Sequence, residues 1–184
     1  MTLYAVTLSA AALLLVFGAA MLWSGPPVER AAKAFPRSQV AAYVFFGAGT
    51  LWFLNLLNHL GSADFGDYKR ILVAVFAAIG LGAFFVAKDF LAVRGVAVLL
   101  LLAARPALDA SMIYTPPPGT RVWLNAFVYV MIVLSIYLGA APYHARDMIN
   151  WLFVKPGRAR VLGAVCAGYG LALAGLAMSY QGKY

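Results

Sequence analysis

Cysteine is nearly missing: the 184 residues contain one, Cys166, and it lies inside an apolar run. A lone thiol excludes an intramolecular disulfide and a cysteine-built metal cluster, and its setting suits a small packing residue better than a reactive nucleophile. Histidine is almost as scarce, with only His59 and His144. Ligation of one haem by both is excluded, because the order of apolar runs puts them at opposite membrane faces. No HExxH, GxSxG, Walker or glycine-rich phosphate motif occurs. Asp64-Phe65-Gly66-Asp67 lacks the length and the closing glutamate of a calcium loop. The expectation is a chain that is not an enzyme and holds no cofactor or metal.

Charge is the other deficit. Charged residues make up 11% and hydrophobic ones 64%, with a mean hydropathy of +0.86. Soluble domains carry about 25% charged residues, so this composition belongs to a polytopic membrane protein. The net charge of +8 does not point to nucleic acid, since the Lys and Arg residues sit between apolar runs, as topology signals do.

Six apolar segments follow one another, at roughly 3–23, 39–60, 71–87, 90–113, 122–141 and 161–180. Each has about the 20 residues that a bilayer requires, and none alternates as a barrel strand does. The first opens without Lys or Arg and exceeds the usual signal-peptide core, so it is expected to be a retained span. Short connections leave room for one transmembrane domain over 1–184. The fold class expected is all-α: a six-transmembrane-helix bundle with two short interfacial amphipathic helices on the inner face.

Those two helices are read between prolines. In 142–158, Ala145, Met148, Ile149 and Leu152 recur at helical spacing opposite Arg146, Asp147 and Asn150. In 26–37, Val28, Ala31, Ala32 and Phe35 oppose Glu29, Arg30 and Lys33. Such segments lie in the membrane plane, apolar face inward. Alternate connections carry Arg30, Lys33, Arg37, Lys88, Arg94, Arg146, Lys155, Arg158 and Arg160, against Lys69, Arg70, Arg121 and Lys183 on the other side. The positive-inside rule then places both termini outside a bacterial inner membrane. Tyr4, Trp52, Tyr68, Tyr114, Trp123, Tyr180 and Tyr184 form an outer aromatic belt, and Trp23, Tyr143 and Trp151 an inner one.

Two features bear on function. The last span carries one stripe of small residues, Gly163, Ala167, Gly170, Ala174 and Ala177, and beside it a second, Ala164, Gly168, Ala172, Gly175 and Ser179. Small faces let helix backbones approach closely in lipid, so this helix is expected to be central or an oligomer contact. The other feature is polar. Arg105 and Asp109 stand one turn apart in the outward half of the fourth span. Asn55 and His59 end the second, and Asn125 opens the fifth. Ionisable groups inside a span raise a functional hypothesis: an outward-facing polar crevice that binds a small ligand or ion, or passes protons. The same residues also fit a structural role, with Arg105 snorkelling and pairing with Asp109 while the amides join helices.

The expected function is therefore a small transport, channel or ligand-binding component. The alternative is a non-catalytic subunit of a larger membrane complex, docked by the small-residue stripes, the inner helices or the loop 115–120. The expected partners are the lipid bilayer and either other membrane subunits or a second copy, with no nucleic acid.

Overall fold

The computed structural model describes residues 2–61, 65–87, 89–114 and 118–180. Lys88 and Lys183 of the charge count, Asp64 of the outward loop, 115–117 of the proline loop and Tyr184 of the aromatic belt lie outside the described residues. Among those described, the chain is all-helical. The helices are α1 Leu3–Trp23, α2 Pro26–Ala34, α3 Gln39–Asn58, α4 Lys69–Val86, α5 Leu91–Ile113, α6 Pro118–Ala140, α7 Tyr143–Val154 and α8 Pro156–Tyr180. Six of them are long and apolar enough to cross a membrane, all but α2 and α7.

Local chemistry sets the ends. Thr2 caps α1 by accepting from the Ala5 amide at 3.3 Å, and Ser38 caps α3 by accepting from Ala41 at 3.2 Å. Such caps satisfy amides that the first turn leaves bare. Ser24 closes α1 in the left-handed region, its N–H bonded to the Ala20 carbonyl. Pro26 and Pro27 then occupy the first turn of α2, where a missing N–H costs nothing. Pro156 acts in the same way. It opens α8 several residues before the expected start near 161, so Arg158 and Arg160 belong to that helix's first turns.

The first and last helices pair along their length and antiparallel. Leu3 meets Tyr180 in one cluster, Ala11 and Leu14 meet Leu173 in another, and Gly18 lies against Gly163 and Ala167. A Cβ on Gly163 would stand 2.6 Å from the Leu22 nitrogen, so the two backbones touch. The Gly163–Ala177 stripe thus faces α1. The second stripe faces outward, with open space at Gly168 and Gly175, so α8 has one close neighbour and not two.

The hub is α5. It packs antiparallel on α6, with Ala104, Ala107 and Ala110 against Leu124 and Val128, and parallel on α3, with Leu91 by Ala42 and Val98 by Gly49. Gly95 sits directly on the backbone of Phe45 and Phe46. There α3 widens into a π turn over Ala42–Phe46, a local insertion often found at functional positions. Helix α4 lies outermost. Of its residues only Gly80 is buried, against Thr50 of α3, and Phe76 and Phe84 add ring contacts with Phe53, Tyr43 and Phe46.

Three connections gather at one end of the bundle. Helix α2 touches α7, Arg160 reaches the Ser24 hydroxyl at 3.4 Å, and Arg37 lies over the Phe90 ring. This end holds Arg30, Lys33, Arg37, Arg94, Arg146, Lys155, Arg158 and Arg160.

Candidate functional site

The register of the helices sets the level of each polar residue. Because α3 and α5 run parallel with Phe53 near Leu102, Asn55 and His59 share a level with Arg105 and Asp109. Antiparallel packing of α6 brings Asn125, beside Leu124, to that level too. All five lie toward the end opposite the basic connections.

They do not form one connected group. Arg105 and Asp109 are a turn apart on α5, with Nε and Oδ2 separated by 3.8 Å and side chains 81% and 60% exposed. That distance is an ion pair but too long for a hydrogen bond. Arg105, Asp109 and Met112 are exposed along α5, and Leu101, one turn before Arg105, lines a crevice shared with α3 and α4. On α3 the His59 Nδ1 lies 2.7 Å from the Asn55 carbonyl oxygen. A carbonyl only accepts, so Nδ1 carries the proton and Nε2 stays available. The Asn125 Oδ1 is buried without a hydrogen-bond partner among the described residues. Among those residues, no hydrogen bond or ion pair joins Arg105–Asp109 to Asn55, His59 or Asn125.

Of the small-residue positions, Gly163, Ala167 and Gly170 lie in the α1–α8 seam, and Ala174 packs at its edge. They bring backbones together and present no reactive group.

Two crevices open elsewhere. One, of about 340 Å³, lies between α3, α4 and α5. Phe46, Phe53, Phe76, Ile79 and Leu102 wall it, and its single hydroxyl, on Thr50, already donates to the Phe46 carbonyl. It is apolar throughout.

The other crevice, of about 530 Å³, lies at the basic end. The end of α4 gives Phe85 and Val86, the connection gives Asp89 and Phe90, and α5 gives Arg94. The α6–α7 corner supplies Ala140, Pro142 and Tyr143. Phe90 has φ 60°, a left-handed backbone unusual for a bulky residue, and it precedes the first turn of α5. The Arg37 guanidinium stands 5.8 Å from its ring centroid. Close by, His144 is stacked on Tyr137 at 4.9 Å and tilted against Tyr143 at 4.3 Å, with Nδ1 buried and unpaired among the described residues.

Sequence reasoning counted Arg94 among the topology signals, did not place it in the candidate site, and passed over Asp89. The available signal was a single acid, Asp89, in a connection that otherwise carries only cations. Among the described residues no three His, Cys, Asp or Glu side chains converge to hold a metal. No family model matches the chain, and neither a curated protein nor a solved structure matches it.

Proposed function

We propose that the chain crosses a bilayer six times, with its basic end cytoplasmic and both termini outside, and serves as a non-catalytic subunit of a larger membrane assembly. Six long apolar helices and the gathering of Lys and Arg at one end support the orientation. The short helices support it as well. None of α2 is buried and only Ala145 of α7 is, as expected of amphipathic segments lying in the interface.

The observation that carries the subunit reading is the bare Arg105–Asp109 pair. Arg105 stands eight residues before the end of α5, about 12 Å along the axis, and 81% of its side chain is exposed among the described residues. A charge near the middle of a lipid-facing helix costs about 2.5–3.5 kcal/mol on the insertion scale, less where it snorkels. A partner helix offering polar groups at that level removes the cost. The test is gentle solubilisation followed by native mass measurement of the wild type and of Arg105→Asp. The expected result is an assembly well above the 19.7 kDa of the chain, broken in the variant while its helical spectrum persists. A wild-type chain that runs alone with lipid refutes the reading.

A transport or ligand-binding role is the second reading. It is favoured by the shared level of Arg105, Asp109, Asn55, His59 and Asn125. Loss of flux in Arg105→Ala and Asp109→Asn with the assembly intact would select it.

A further inference from the structure

We infer that the crevice at the basic end binds the headgroup of a zwitterionic amphiphile, a phosphoethanolamine group carried on acyl chains. Three features of the crevice argue for this class. First, it holds one carboxylate and one guanidinium, Asp89 and Arg94, and neither forms an ion pair among the described residues. Opposite charges that share a cavity and pair with no described residue suit a ligand that carries both signs. Guanidinium binds phosphate oxygens in a planar fork, and carboxylate accepts from a primary ammonium.

Second, the crevice is built at helix ends, where α4 and α6 stop and α5 and α7 begin. In a six-span bundle that is headgroup depth. Its volume of about 530 Å³ falls within the ordinary range for small-ligand sites. Third, its rim is greasy: Phe85 and Val86 are 76% and 90% exposed. Acyl chains leaving the headgroup would run down α4 over these two side chains. Arg37, held over the Phe90 ring, stands outside the lining as a second cation behind that wall. The inference rests on the six spans and not on the subunit reading. A chain that runs alone would sink the latter and leave this untouched.

The test is native mass spectrometry of the full chain in detergent micelles. Phosphatidylethanolamine, phosphatidylcholine and phosphatidylglycerol with matched acyl chains are titrated, with free phosphoethanolamine as a separate arm. The wild type should retain phosphatidylethanolamine roughly tenfold better than the choline lipid, the scale of one charge-assisted hydrogen bond that a trimethylammonium cannot donate. Asp89→Asn should erase that preference. Arg94→Gln should weaken all three lipids, and Arg94→Lys should restore part of the binding, which separates loss of contact from loss of fold. Wild-type retention that ignores headgroup, or variants that keep the wild-type preference, overturns the proposal. Free phosphoethanolamine held as well as the lipid overturns the acyl part and identifies a soluble phosphate ester as ligand.

Discussion

One methyl group added at Gly163 should cost more than any other single-carbon change on α8. Its Cβ would stand 2.6 Å from the Leu22 nitrogen, 2.8 Å from the Gly18 oxygen and 3.0 Å from the Met21 carbonyl carbon. Comfortable contact for carbon begins near 3.5 Å, so the backbones must part by somewhat under about 1 Å. All three obstacles are main-chain atoms, and no side chain can swing aside. Parting them also loosens Ala11, Leu14 and Leu173, packed in the same seam. Overpacking costs about 1–3 kcal/mol, and with only main-chain atoms in the way the upper part of that range, about 2–3 kcal/mol, applies. The better helix propensity of alanine returns up to about 1 kcal/mol. The net loss for Gly163→Ala is about 1–2 kcal/mol, a fall of about 5–30-fold in the folding equilibrium. Gly168→Ala is the control, because it lies on the same helix with nothing within 4 Å. Equilibrium unfolding in mixed micelles, followed by far-UV circular dichroism, reads both. Equal stability of Gly163→Ala and wild type, or an equal loss in Gly168→Ala, refutes the backbone-contact argument.

Gly95→Ala should destabilise at least as much in the same assay, because its Cβ would collide with the Phe45 and Phe46 backbone at the π turn. Tyr169→Phe removes the hydroxyl that donates to the Trp123 carbonyl at 2.7 Å and ties α8 to α6; about 1 kcal/mol should be lost. Arg158 lies 4.3 Å over the Trp151 ring and donates to the Trp151 carbonyl at 3.0 Å. Arg158→Ala should loosen the α7–α8 elbow by about 1–2 kcal/mol, seen as a lower unfolding midpoint in the same assay.

Much of this architecture is legible in the chain. Runs of about 20 apolar residues leave the backbone no partner but itself in lipid, so helices follow directly. Pro156 was harder to read, since proline both ends and begins helices, and here it begins one. The two small-residue stripes of α8 show the same limit: periodicity reveals both, and only packing reveals that one meets α1 while the other stays bare. Arg105 and Asp109 are visibly one turn apart, yet spacing along a helix says nothing about which neighbour covers that face. Asp89 was a visible signal in the chain, yet the crevice around it and Arg94 was not, because its walls come from two connections about fifty residues apart in sequence, 85–94 and 140–143.

Composition and hydrophobic run length by themselves determined the helical class, the six long segments and the polarity of the two ends, because those depend on local solvation of backbone and side chain. Tertiary structure alone decided that α5 is the hub, that α1 and α8 close on each other, and that an acid and a guanidinium face one cavity. Those outcomes depend on shape matching between helices that lie far apart along the chain, and no local propensity encodes it.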